Sequence, residues 1–186
     1  MEEEMKNFPL QFCIAAAVAG CITSGPQNNV GFGRIEKLNA LEGVYKNLGE
    51  GAQGAKPVWL STIIWPAALE LDDSSITAIE VRAISDTTIV VKALKANDVI
   101  KEATFVEGKD FELSSGRIRL MHRTGFSGAT GGNPYLGPYY ESTELGLDQH
   151  GHGKYREVGG AAGLAFLIVP LVGSVSDDVR FVRIEK

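Results

Sequence analysis

Apolar and polar residues alternate over several short runs of this chain, which is the pattern of β-strands with one buried face. Residues 79–83 and residues 89–93 show it most clearly, and a turn signal at Ser85 and Asp86 separates them. The two runs therefore predict an antiparallel hairpin with one solvent-facing side. Further strands are predicted at residues 99–105, 117–120 and 180–185.

Turn signals recur about every eight to twelve residues, which is typical of a β-sandwich or a small up-and-down barrel. One helix is expected, within residues 58–69, and Pro66 limits it to a short piece. The predicted fold class is therefore mainly β: an antiparallel up-and-down barrel or β-sandwich with one short helix. Parallel βαβ units are not expected.

Two glycine-containing stretches do not alternate in this way. Residues 125–140 are rich in glycine and aromatic residues but contain no lysine, so they predict a long loop and not a phosphate-binding loop. Residues 159–175 are apolar but too short to span a membrane as a helix, and they are interrupted by Pro170. Within them, residues 164–169 predict a buried strand that enters the core.

Length and composition fit one ordinary globular domain. The chain has 186 residues, 44% of them apolar, and a net charge of -5. A chain of this size buries enough surface to fold without disulfides or a structural metal. Because an acidic chain without a dense basic patch lacks the charge that dominates binding to nucleic acid, no nucleic-acid partner is expected.

Residues 8–20 form an almost uncharged run, and the motif Val18, Ala19, Gly20 and Cys21 overlaps its end. As a helix, the run would span about 20 Å, against about 30 Å of bilayer hydrocarbon, so it predicts a signal-peptide core. The four residues resemble the lipobox of bacterial lipoproteins. The resemblance implies that residues 1–20 are removed, that Cys21 carries the lipid anchor, and that the membrane is a partner through this anchor.

The residues around this motif add two expectations. Ile22 follows the cysteine where an aspartate commonly retains such lipoproteins in the inner membrane, so the resemblance implies the periplasmic face of the outer membrane. Three glutamates at residues 2–4 replace the usual basic start, and we infer that translation begins at Met5. Residues 21–33 then predict a flexible, lipidated tether, and residues 34–186 a single β domain.

A wider resemblance rests on Leu41-Glu42-Gly43-Val44-Tyr45-Lys46-Asn47 and on the later Val58-Trp59-Leu60-Ser61. This order of motifs looks like small proteobacterial lipoproteins, some of them lipocalin-like, that have no assigned reaction. The resemblance implies a lipid-anchored β domain and transfers no catalytic residue.

Few side chains suggest catalysis or a metal. His150 and His152 share a face with Asp148 if they lie on a strand, but the surrounding glycines favour a hairpin turn, so no metal or other cofactor is expected. The remaining candidates match no catalytic motif, and we expect no enzyme activity. They are Ser114, His122, Ser127, Glu141 and Glu144.

Five aromatic residues could line a ligand pocket or fill the core: Trp59, Trp65, Tyr135, Tyr139 and Tyr140. The sequence leaves three functions open, which are ligand binding by a lipocalin-like carrier of a small apolar molecule, a structural role in contact with envelope proteins, and, least favoured, a hydrolase. A closed apolar cavity of about 300 Å³ or more would favour the carrier. An exposed apolar patch would favour the structural role.

Overall fold

A computed structural model describes residues 18–68, 70–128, 135–165 and 169–185. Within these residues the chain forms eleven strands, one α-helix and two short 3-10 turns, at Leu38–Leu41 and Asp73–Ser75. The helix is α1 (Leu60–Ile64), and the strands are β1 (Val18–Ser24), β2 (Gly43–Lys46), β3 (Ala78–Ser85), β4 (Thr88–Lys95), β5 (Asp98–Val106), β6 (Glu112–Ser114), β7 (Arg117–Ser127), β8 (Tyr135–Leu147), β9 (Gly153–Ala165), β10 (Val169–Phe181) and β11 (Arg183–Glu185).

The strands form two separate sheets. The larger has six strands in the order β1-β10-β9-β8-β7-β6, and the smaller has five in the order β11-β2-β3-β4-β5. Neighbouring strands are antiparallel except β1 and β10, which are parallel. The mainly β prediction is confirmed, but the sheets do not close into a barrel, because no named strand of one pairs with a strand of the other in the described residues.

The core lies between the smaller sheet and one half of the larger sheet. Ile79, Ile89, Val91 and Ala93 of the predicted hairpin are all buried there, which confirms the alternation seen in the sequence. Phe181 at the end of β10 is fully buried against them. The chain then passes to the other sheet through the single residue Val182.

The predicted helix is short, as expected. α1 covers five residues of the predicted range, and Pro66 follows soon after its end. In the part of the chain that the structure describes, no helix is long and apolar enough to cross a membrane.

The other half of the larger sheet extends beyond this core, and we call it the distal sheet (residues 18–24, 121–127, 135–143, 157–165 and 169–177). It corrects two predictions. Residues 125–140 are not a long loop, since β7 and β8 extend into this range from both sides. The buried strand predicted at residues 164–169 is wrong at its first residue, because Leu164 is exposed on β9; Val169 begins β10, and residues 166–168 lie outside the described residues.

Residues 25–36 cross the larger sheet on the face opposite the core, and we call this segment the strap. Asn29 donates to Asp178, and Lys154 Nζ donates to the Val30 carbonyl at 2.8 Å. The ring of Phe32 packs on Gly146, where an added Cβ would lie 3.1 Å from Phe32 Cδ1. Of residues 21–33, predicted to be a flexible tether, residues 21–24 belong to β1 of this sheet, and residues 25–33 lie against it because these polar groups and the Phe32 ring find partners there.

Candidate ligand cavity

A cavity of about 260 Å³ lies between the two sheets and beneath α1. Its walls come from β2 to β5, from the larger sheet, and from the turn before β6. The lining residues are Leu41, Tyr45, Leu60, Ile63, Ile64, Pro66, Val81, Ile89, Val91, Phe105, Asp110, Phe111, Ile118, Leu120, Leu145, Gly146, Gly153 and Phe181. Most of them are aliphatic or aromatic, because strands that alternate in polarity turn their apolar side chains inward.

Two side chains provide the polar atoms of the lining. The buried Tyr45 hydroxyl donates to the Leu41 carbonyl at 2.7 Å and accepts hydrogen bonds from Arg183. Burial raises the pKa of Tyr45, although Arg183 opposes the rise, so the phenol remains neutral. Asp110 is exposed, like Pro66, and these two residues mark the mouth of the cavity.

The buried amide of Asn47 fastens α1 over the cavity. Its Oδ1 accepts the backbone N–H of Ser61 at 2.8 Å, and its Nδ2 donates to the carbonyls of Asp73 at 2.9 Å and Ile76 at 3.3 Å. Asp73 in turn accepts the hydroxyls of Ser61 at 2.5 Å and Thr62 at 3.0 Å. These bonds hold the helix to the end of β2 and to the turn before β3.

A second buried polar cluster lies under the strap. Asp178 is 1% exposed and accepts from Arg156 Nε at 2.6 Å, Arg156 Nη2 at 2.7 Å and Asn29 Nδ2 at 2.8 Å. Lys154, 2% exposed, places Nζ 2.7 Å from the same carboxylate. Burial alone would raise the pKa of Asp178, but these hydrogen bonds outweigh it and lower the pKa to about 2. The carboxylate is saturated by partners, which suits a structural role and not acid–base chemistry.

The predicted histidine pair lies in the turn between β8 and β9. Asp148 Oδ1 accepts the backbone N–H groups of His150 at 2.8 Å and His152 at 2.9 Å. His152 Nδ1 accepts the backbone N–H of Arg183 at 3.1 Å. The glycine-rich turn is confirmed by a positive φ at Gly151. In the described ranges no three histidine, cysteine or acidic side chains are grouped as metal ligands would be.

Of the five predicted pocket aromatics, the four whose side chains are described do not come together. Trp59 and Trp65 flank α1, and Trp65 packs against the core, but neither is among the residues that line the cavity. Tyr139 and Tyr140 are exposed on β8 in the distal sheet. Tyr135 begins the same strand, and its side chain lies outside the described part.

The other candidate catalytic residues are also dispersed. Glu144 pairs with Arg117 at 2.9 Å, and Glu141 is exposed in the distal sheet. Ser114 ends β6 and Ser127 ends β7. His122 lies on β7, but its side chain is outside the described part. Nothing among the described side chains joins these residues into one site.

Cys21 lies in the middle of β1, and its thiol is exposed. Ser174 Oγ donates to Cys21 Sγ at 3.3 Å across the β1–β10 pair. Val18, Ala19 and Gly20 precede it on the same strand. Residues 1–17, which include Cys13 and most of the predicted signal peptide, lie outside the described residues.

Sequence reasoning missed the side chains that organise this region. Asn47 was named only as the last residue of a motif, and neither Lys154 nor Asp178 was singled out. Lys154 follows glycine-rich residues, and Asp178 is the second of two adjacent aspartates near the end of a long strand. Strand alternation places the two aspartates on opposite faces, and this was the one signal that could have distinguished Asp178 from Asp177.

Comparisons with protein-family models, with curated proteins and with solved structures found no match to this chain.

Proposed function

We propose that this protein is a lipid-anchored protein of the bacterial cell envelope that binds a small apolar ligand in the cavity between its sheets. The observation that carries the proposal is the cavity itself. Small-molecule sites are mostly apolar clefts of about 300–1,000 Å³ with a few polar groups. A volume of about 260 Å³ lies just below that range, so it suits a small ligand or part of a longer acyl chain.

The lining also defines the ligand chemistry. Because the Tyr45 hydroxyl already has its partners within the protein, the inner wall offers a ligand little but apolar contact. A charged or polar group of the ligand would remain at the mouth, near the exposed Asp110. We therefore expect an uncharged or cationic apolar molecule. The role would be that of a lipocalin-like carrier, without the closed barrel, and we assign it no reaction.

The anchor in this proposal is Cys21, at the periplasmic face of the outer membrane. The exposed thiol on β1 supports it, since lipid transfer needs an accessible sulfur. Processing at the lipobox would leave residues 21–24 of β1 paired with β10, followed by the strap. Radiolabelled palmitate should enter the wild-type chain and not the Cys21→Ser variant. Absence of palmitate from the wild-type chain, or equal labelling of the Cys21→Ser variant, would contradict the anchor.

Cavity binding is tested by titration with N-phenyl-1-naphthylamine, an uncharged apolar fluorophore. Val81→Phe places a larger side chain into the cavity, whereas Val90→Phe makes the same change on β4, where Val90 alternates with the lining residues Ile89 and Val91. We expect Val81→Phe to weaken binding about tenfold or more, a loss of about 1.4 kcal/mol, and Val90→Phe to leave it unchanged. Circular dichroism checks that both variants fold.

Equal binding by both variants, or no binding by the wild type, would contradict the carrier function. Native mass spectrometry of the protein purified from its own host provides an independent measurement. A small molecule retained by the wild type and lost from Val81→Phe would identify the ligand class directly.

A further inference from the structure

One face of the distal sheet carries Cys21 together with exposed apolar side chains. Cys21, Ser174, Gly160, Tyr140 and Thr124 are successive cross-strand partners from β1 to β7, so they form one row on one face. Arg156 and Asp178 lie on this same face, nearer the core, and the strap covers them there. We call the part of the face beyond the strap the anchor face.

Two residues further along the strands, the anchor face becomes more apolar. Val172 and Phe126 lie two residues beyond Ser174 and Thr124, so they point to the anchor face as well. Their side chains are 53% and 68% exposed, respectively. Leu164 follows in the next row. Gly160 lets the Tyr140 ring lie close to the sheet, since an added Cβ would be 2.2 Å from Tyr140 Cε1. The described residues place no second layer on this face, although isolated sheet faces of this kind are normally covered.

The hairpins that build the anchor face are free of charge. Residues 124–140 and residues 158–176 contain no acidic, basic or histidine residue, over 17 and 19 positions respectively. On the anchor face itself, charged residues resume two rows from Cys21 towards the core, at Glu144, Arg156 and Asp178. The boundary between uncharged and charged rows of this face thus lies between Cys21 and the charged cluster under the strap.

We propose that the anchor face rests on the lipid bilayer, with Phe126, Tyr140, Leu164 and Val172 in contact with lipid and the acyl chains of Cys21 leaving from the same face. The inference rests on the proposed lipid anchor. Apolar and aromatic side chains on one face are what interfacial membrane-binding elements use, and an anchor is strengthened by a second membrane contact. A sheet that lies flat on the bilayer also keeps its open edges, β1 and the outer part of β7, among hydrated headgroups.

The test uses the full chain carrying Cys21→Ser, so that protein-bound lipid makes no contribution, and zwitterionic vesicles of phosphatidylcholine and phosphatidylethanolamine. The test pair is Phe126→Ser with Val172→Ser. The matched control is Ile84→Ser with Ile184→Ser, because these isoleucines are 63% and 52% exposed but lie on the smaller sheet. We expect the test pair to lower vesicle affinity in a flotation assay about tenfold and the control pair to leave it unchanged.

A second measurement avoids loss of apolar surface. Phe126→Trp should show a blue shift of its emission on addition of vesicles and quenching by brominated lipid, and Ile84→Trp should show neither. Equal vesicle affinity in the two double variants, or an unresponsive tryptophan at position 126, would overturn the inference. Self-association in sedimentation that is lost in the test pair, without vesicle binding, would overturn it in favour of a second copy of this chain.

Palmitate labelling separates this inference from the proposed function. If chains with Cys21 take up palmitate while the test pair binds vesicles like the control pair, the anchor stands and the contact face fails. If palmitate does not enter but the test pair loses vesicle affinity, the face binds lipid without an anchor, and the lipoprotein proposal fails alone.

Discussion

Replacing Asp178 by asparagine should be among the most destabilising isosteric changes in this protein. The substitution keeps the side-chain shape but removes the charge that accepts hydrogen bonds from Arg156 at 2.6 and 2.7 Å and that neutralises Lys154 at 2.7 Å. Lys154 is almost fully buried, so it would be left without its counter-ion. Breaking a buried ion pair in this way typically costs about 3–5 kcal/mol.

The pH dependence gives a second magnitude for the same carboxylate. Its pKa is lowered from the ordinary value of 3.8 to about 2 in the folded protein. A group whose folded pKa is lowered stabilises the protein above its unfolded pKa, and that contribution is lost as the pH falls through the folded pKa. Asp178 should therefore contribute about 2 kcal/mol at neutral pH, lost between about pH 4 and pH 2.

Urea denaturation followed by tryptophan fluorescence measures both effects. Asp177→Asn is the matched control, because Asp177 is exposed on the opposite face of the same strand and should change stability by less than about 0.5 kcal/mol. The wild type should lose stability below about pH 4 as Asp178 becomes protonated, and the Asp178→Asn variant should lack this contribution to the pH dependence. If Asp178→Asn is no less stable than Asp177→Asn at pH 7, the buried cluster does not hold the strap as described.

Three further substitutions test the attachment of α1, the packing of the core and the strap. Asn47→Leu removes the partner of the Ser61 N–H and of the Asp73 and Ile76 carbonyls. The free energy of unfolding in urea should fall by about 3 kcal/mol, and fluorophore binding should weaken. Unchanged stability would contradict the role of Asn47. Gly49→Ala would bring a Cβ within 2.3 Å of Val179 Cγ1, which should lower the stability by about 1–3 kcal/mol. The control Gly51→Ala meets nothing closer than 3.9 Å and should be neutral. Equal stabilities of the two variants would show that the core rearranges to accept the added methyl group. Phe32→Leu removes the ring whose centroid lies 4.6 Å from the Arg117 guanidinium, 5.2 Å from that of Arg156 and 5.6 Å from Lys154 Nζ. The free energy of unfolding should fall by about 1–2 kcal/mol, which a thermal melt measures. An unchanged midpoint would exclude a cation–π contribution.

The hairpin of β3 and β4 was predictable because one face of each strand packs on the core and the other meets solvent. That asymmetry produces the polar/apolar alternation at Ile79, Ile89 and Val91. The distal hairpins were not predictable by the same rule. Exposed apolar side chains occur on both of their faces, Val172 on one and Val175 on the other. Residues 159–165 therefore show no alternation, and their glycines resemble those of a loop.

The lipobox at Val18 to Cys21 and the expected outer-membrane location depend on sequence resemblance, and they stay predictions. The structure adds the position of Cys21 on an exposed strand beside β10. That position could not be read from the sequence, because a parallel edge pairing joins residues 153 positions apart. Neither the resemblance nor local pattern indicated what lies beside the cysteine.

The sequence by itself determined the local features of this protein: the strand class, the turns at Ser85 and Gly151, and a helix ended by Pro66. Each follows from the conformational preferences of a few adjacent residues. Only the tertiary structure decided that the sheets stay open, that a cavity lies between them and that Asn29, Lys154 and Asp178 meet under the strap. The contacts of Asn29, for example, reach Lys154 and Asp178, which are 125 and 149 positions away, and their energies exist only once the sheets have brought these partners together.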